Sequence, residues 1–229
     1  NLDIVPPPRG LPYRRSVLGD VRDVERVRDA MGGCDGVLHL AAAHHDFGIA
    51  RPTFFDVNEA GTATVCRVMD ELGVRRVCFY STVAVYGDGD EERDEASPTL
   101  GTTPYGASKR AGEQVLERWA GASAGRSAVV VRPSVVFGPF HFANMYTLVR
   151  QILRRRFLTV GNGRNYKSLA YVANLVDATL FLWERLPLAR PFEVFNYVDK
   201  PDMTSGEIAR HVYRALGRPA PSFSVPLPL

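Results

Sequence analysis

Lysine and cysteine are both scarce in this 229-residue chain. The cysteines are Cys34, Cys66 and Cys78. Their number is odd and no C-x-x-C pair occurs, which argues against a disulfide framework or a zinc site. The expectation is three buried, reduced thiols in a cytoplasmic protein. No stretch approaches 18 apolar residues, which excludes a transmembrane helix by length. The opening NLDIVPPPRG lacks a basic region followed by an apolar run, so it reads as no signal peptide. Charge of one sign is also lacking: the net charge is +3. No Lys/Arg run exceeds Arg154-Arg155-Arg156, which excludes a nucleic-acid-binding stripe. Apolar residues at 45% and charged residues at 23% exclude a disordered or collagen-like chain. Lys109, Lys167 and Lys200 are the only lysines, so a lysine in a chemically meaningful place carries information.

What is present is an alternation of short apolar runs with amphipathic segments. Strands are predicted over 15–19, 36–41 (GVLHLA), 76–81 (RVCFYS), 128–132 (AVVVR) and 193–197. Helices are predicted over 24–31 with Asp23 as N-cap, 53–72 closed by Gly73, and 105–119. Further helices are predicted over 143–155, 171–186 and 205–216, with a short strand over 157–160. This order predicts βαβ units and an α/β fold with a doubly wound parallel sheet. The continuous apolar strands fit burial on both faces. The texture changes after Gly138. Residues 1–138 and 166–186 are assigned to the sheet domain, and 139–165 with 187–229 to a small, mostly helical lobe. Asn1–Ile4 reads as the end of a strand already in progress, and VPLPL stops without a cap. The expectation is an interior piece of a longer chain.

The sharpest chemical signal is Tyr105-Gly-Ala-Ser-Lys109. On a helix, side chains four apart share a face, so a phenol stands beside an ammonium. A phenol with a pKa near 10 is a poor base at neutral pH, and a nearby cation favours its phenolate. Ser81-Thr82 closes the strand RVCFYS, where open α/β sheets place their ligands. The run His44-His45-Asp46 has no further ligand cluster near it in sequence, so no metal is expected. A cofactor- or substrate-loop contact and a plain polar loop both remain open for it.

With these residues in view, the chain resembles the extended short-chain dehydrogenase/reductases, the nucleotide-sugar epimerase/dehydratase group. The matching segments run in order: Gly19-Asp20-Val21-Arg22-Asp23, Val37-Leu38-His39-Leu40-Ala41-Ala42, Asn58 with Gly61-Thr62, and Ser81-Thr82 with Tyr86-Gly87. Pro104-Tyr105 with Lys109, Arg132-Pro133 with Phe137-Gly138-Pro139, and Tyr171-Val172 with Leu175 follow. The resemblance implies a Rossmann-like fold whose N-terminal βα unit, with its G-x-x-G-x-x-G turn, is missing from this sequence. It implies bound NAD, with NADP as the alternative. Asp3 matches a ribose-gripping acid, and Arg9 nearby suits a 2′-phosphate. It implies catalytic Thr82, Tyr105 and Lys109. Cofactor contacts are implied for Asp3, Asp20, Val21, Leu40, Ala41, Ala42, Asn58, Ser81, Tyr105, Lys109, Pro133 and Val135. Substrate contacts are implied for His44, Thr82, Val83, Asn144 and Lys167. Asn144 matches an Asn that meets the diphosphate of a nucleotide sugar.

Departures narrow the reading. Val83-Ala84 stand where 4,6-dehydratases carry Asp-Glu, which argues against dehydration. Val135 replaces a common Asn. The expected activity is nucleotide-sugar epimerisation or 4-ketoreduction. The alternatives are a hydroxysteroid-dehydrogenase-like oxidoreductase and a non-catalytic cofactor-sensing protein. The expected partners are a nucleotide sugar and a second copy of the chain, with no nucleic acid and no membrane. The dimer would pair the helices over 53–72 and 105–119.

Overall fold

β-Branched residues crowd the strands at the centre of the sheet. In the computed structural model, which describes residues 1–8, 10, 13–44, 48–89, 91–158 and 161–221, strands β3 (Val37–His39), β4 (Arg76–Tyr80) and β5 (Ser127–Pro133) pair in parallel. Val37 lies opposite Val77, and Cys78 opposite Val129. β8 (Phe192–Tyr197) lies on the other side of β5. Every residue of β5 is buried, the signature of a parallel strand covered on both faces.

β1 (Leu2–Asp3) and β2 (Val17–Leu18) form a separate parallel pair. Among the described residues no strand pairing joins that pair to β3. Side chains make the connection instead. Val27 and Met31 of α1 (Val24–Met31) share one core with Val65, Val68 and Met69 of α3 (Gly61–Leu72) and with Val77 and Phe79, and Leu2 packs against it. Asp23 caps α1 as its sequence predicts, accepting from the amides of Glu25 and Arg26.

The helix predicted over 53–72 is not uniform. It comprises α2 (Arg51–Phe55), a π-helical turn at Asp56–Ala60, and α3. The wide turn holds Asn58 inward. Its Oδ1 accepts from the Ala43 amide at 2.8 Å, and its Nδ2 donates to Ala43 O at 3.0 Å and Ser108 Oγ at 2.8 Å. A π turn adds one residue to a helix, and this one aims an amide into the core. Gly73, with φ of 70°, closes α3 in the left-handed conformation.

Helix α4 (Pro104–Gly121) starts where Thr103 accepts from the Gly106 amide at 3.0 Å. The helix is pressed tightly onto its neighbours. A Cβ at Gly106 would collide with Ala84 O, and one at Gly112 would stand 2.5 Å from Asn58 O.

The chain divides into two compact units, Asn1–Pro133 with Thr179–Asn196, and Ser134–Ala178 with Tyr197–Leu229. The boundaries differ from the predicted lobe of 139–165 and 187–229 because the second unit has a sheet of its own. β6 (Val135–Phe137) runs parallel to β7 (Tyr166–Tyr171), and β7 runs antiparallel to β9 (Asp199–Thr204). Neither β7 nor β9 shows the continuous apolar run that marks the central strands, so pattern reading misses both. α5 (Asn144–Leu153) and α7 (Ser205–Ala215) complete this unit. α6 (Val172–Trp183) gives residues to both units. Phe157 and Leu158 are not in a strand, and Thr159 and Val160 lie outside the described residues. One cysteine expectation also fails: Cys66 and Cys78 are buried, but Cys34 is exposed just after α1.

Candidate active site

Parallel pairing brings the C-terminal ends of β3, β4 and β5 to one edge of the sheet. Leu40–Ala42, Ser81–Thr82 and Pro133 all follow or close those strands. Thr82 opens a 3-10 turn over Val83–Tyr86, its Oγ1 accepting from the Ala84 amide at 3.1 Å. Gly106 of α4 packs on that turn at Ala84. This contact sets the first turn of α4, and with it Tyr105, against the Thr82 segment. The Tyr105 ring lies 6.5 Å from that of Phe54.

Lys109 follows one turn later and is only 1% exposed. Its Nζ has no hydrogen-bond partner among the described residues and sits 3.9 Å from the centre of the Phe79 ring. Burial lowers its pKa to about 7, with the Glu113 carboxylate opposing the shift. Next to it, buried His39 packs on Phe79 at 5.1 Å and places Nε2 3.0 Å from Thr62 Oγ1. The Thr62 hydroxyl gives its single proton to Asn58 O at 2.7 Å, so His39 Nε2 must be the donor in its pair. Burial, and secondarily Lys109, push the His39 pKa down to about 3, so the ring is neutral.

The remaining expected contacts are dispersed. Asp3 closes β1, exposed, with Oδ1 accepting from the Val5 amide. Asp20 is held by Arg22, whose Nη2 lies 2.7 Å from its Oδ2 and keeps its pKa below the usual carboxylate range. Val21 is buried, and a Cβ on Gly61 would meet it at 2.7 Å. Leu40 and Ala41 are exposed, Ala42 and Val83 half-buried, and Ser81 buried with no hydrogen-bond partner for its Oγ among the described residues. His44 is exposed. Val135, Asn144 and Lys167 belong to the second unit, all exposed. Asn144 is the first residue of α5 and not its cap, which is Ala143. Arg9, His45 and Asp46 lie outside the described residues.

Ser81 Oγ and Lys109 Nζ are therefore buried polar atoms of this region that have no hydrogen-bond partner among the described residues. Sequence reasoning passed over Glu113, although its spacing of four from Lys109 is the same interval that singled out Tyr105.

Comparison with known proteins gives the family. The model of the NAD dependent epimerase/dehydratase family matches residues 6–197. An N-acetyl-alpha-D-glucosaminyl-diphospho-ditrans,octacis-undecaprenol 4-epimerase from Escherichia coli O157:H7 is 39% identical over 93% of this chain and 64% of its own length. A UDP-glucose 4-epimerase from Vibrio cholerae is 31% identical over 83% of this chain and 60% of its own length. The chain thus spans less than two thirds of either relative. Among solved structures, a dTDP-glucose 4,6-dehydratase from Streptomyces venezuelae with NAD bound superposes with a TM-score of 0.76 and 27% identity, over 92% of this chain and 66% of that one. On the family match over residues 6–197 and these identities, the chain belongs to the NAD dependent epimerase/dehydratase family.

Proposed function

We propose that the protein inverts a sugar carbinol carbon, with NAD as transient hydride acceptor, or reduces a sugar ketone to the carbinol with NAD(P)H, and that the substrate is a glycosyl diphosphate. The observation that carries this reading is the buried Lys109 Nζ, without a hydrogen-bond partner among the described residues, four residues after Tyr105 on the helix that packs on the Thr82 turn. The nicotinamide, when bound, supplies reversible hydride acceptance. Tyr105 moves the proton of the reacting hydroxyl, and Thr82 hydrogen-bonds that oxygen. Lys109 binds the ribose hydroxyls and stabilises the Tyr105 phenolate by charge. Ser81, Ala41, Ala42 and Pro133 line the cofactor side, and Asp3 would hold the adenosine ribose, which favours NAD over NADP. Val83 and Ala84 carry no group that transfers a proton, so elimination to a 4-keto-6-deoxy sugar is not expected.

Two carriers of the sugar diphosphate compete. A nucleotide is the expectation from sequence, and the Vibrio cholerae relative is named for a nucleotide sugar. A polyprenol is favoured by the relative at 39% identity, named for an undecaprenol-linked sugar. The reading also includes a cytoplasmic homodimer, following the resemblance. No described helix is long and apolar enough to cross a membrane. Incubating the protein and NAD with UDP-N-acetylglucosamine, and separately with N-acetylglucosaminyl diphospho-undecaprenol, tests the reading. Formation of the C4 epimer from one of them is expected. Formation of no epimer from either, with NAD bound, together with no reduction of the corresponding 4-keto sugars by NAD(P)H, would leave the cofactor-sensing or steroid readings in its place.

A further inference from the structure

A lysine with a glutamate four residues away on a helix ordinarily pairs with it. Lys109 and Glu113 have that spacing on α4 and are both buried, yet Lys109 Nζ has no partner among the described residues. The carboxylate is engaged elsewhere. Arg132 of β5 takes Glu113 Oε1 through Nε at 2.9 Å and Oε2 through Nη2 at 2.6 Å, in an ion pair only 6% exposed on each side. Its remaining nitrogen, Nη1, donates to Tyr86 OH at 2.7 Å, and that hydroxyl donates to Asn196 Oδ1 at 2.7 Å. The guanidinium also lies 4.9 Å from the Tyr86 ring centre. Tyr86 ends the 3-10 turn that Thr82 begins. One arginine is therefore tied to the helix that carries Tyr105 and Lys109 and to the turn that follows Thr82.

We propose that Arg132 is a positioning residue for the reaction. By occupying both oxygens of Glu113 it withholds that carboxylate from Lys109, leaving the ammonium uncommitted, and through Tyr86 it fixes the Thr82 turn against α4. This rests on the reading of Lys109 as the cofactor- and Tyr105-facing cation. A planar donor with spaced nitrogens suits this arrangement, since a lysine in place of Arg132 would carry its donors on one nitrogen and lack the fork that spans both carboxylate oxygens and Tyr86 OH. The groups around Lys109 are few. Glu113 and Tyr105 share its helix, while neutral His39 faces it from β3 and the Phe79 ring from β4. Arg132 stands behind Glu113. The balance at Lys109 therefore turns on how much of the Glu113 charge reaches it.

The scarcity of lysine makes the test direct. Protein labelled with 13C at the lysine ε-carbon gives three signals, assigned with Lys167→Arg and Lys200→Arg, and the titration of Lys109 is followed without nucleotide or sugar. In the unaltered chain Lys109 should titrate near neutral pH. In Arg132→Met the freed carboxylate should pair with Lys109 and raise its midpoint by about one pH unit or more. Adding Glu113→Gln to that variant should return the midpoint to its original value or below. Glu113→Gln alone, which keeps the arginine, should lower it by less than Arg132→Met raises it, and if Arg132→Met does not fold, Arg132→Lys, which keeps the charge but loses the fork, should still raise the midpoint. A midpoint that stays within about 0.3 pH units in the folded Arg132 variants overturns the proposal. Because no turnover is read, this outcome is separate from success or failure of the epimerase assay.

Discussion

In the first unit a polar cluster at the candidate site is enclosed: His39, Asn58, Lys109, Glu113 and Arg132 are all buried. In the second unit the expected substrate residues Asn144 and Lys167 stand on the surface. The difference extends to the strands, since β5 is buried throughout whereas β7 is exposed over its first three residues. Burial makes charge interactions strong and geometry rigid, while exposure leaves them weak and adaptable. The contrast separates a unit whose buried polar groups are held in fixed geometry from a unit whose expected substrate residues can change at little cost to the fold.

The strongest test of the contrast is Tyr105→Phe. The fold and cofactor affinity should survive, while turnover falls by at least about 100-fold, the scale of a lost general acid–base group. Steady-state kinetics within threefold of the original would remove Tyr105 from the chemistry. Next is Gly112→Ala, whose Cβ would stand 2.5 Å from Asn58 O and 3.1 Å from the Phe79 ring. A loss of about 2 kcal/mol in denaturant unfolding is expected from such overpacking. Gly121→Ala on the same helix, with nothing within 4 Å, should cost almost nothing. Equal losses at the two glycines would mean that the enclosure of α4 is not tight. The smallest effect is expected for Lys167→Ala: KM up by about tenfold with kcat nearly constant, the pattern of a binding contact made equally in ground and transition states. A fall in kcat as large as that for Tyr105→Phe would erase the distinction between the units.

Much of the first unit was legible in sequence. α1 reads directly because Asp23 and its spaced apolar residues are local signals, and β4 and β5 read because unbroken apolar runs suit a doubly covered parallel strand. The π turn was not legible. Asn58 departs from regular helix because of Ala43 and Ser108, fifteen and fifty residues away, and local periodicity carries no record of such partners. The second unit was less legible for a related reason. TYR-LYS-SER at the start of β7 and the proline in β9 carry no strand-like alternation, and their pairing is decided across the sheet. For the site, Tyr105 and Lys109 announce themselves by spacing. The role argued for Arg132 needs the third dimension, since Glu113 lies nineteen residues before it and Tyr86 forty-six.

The π turn at Asp56–Ala60 has a consequence for how this sequence can vary. Removing one residue there would let the segment relax to regular α-helix, a gain in local backbone hydrogen bonding. The wide turn is what absorbs the extra residue, so α2 and α3 would keep their relative phase and only the side chain held out by the bulge would lose its place. Asn58 would leave Ala43 and Ser108, and the segment following β3 would lose its anchor. Stabilising the helix and keeping the site are opposed requirements at this point, so one-residue deletions between Asp56 and Ala60 form a class of change that improves the scaffold while emptying it of purpose.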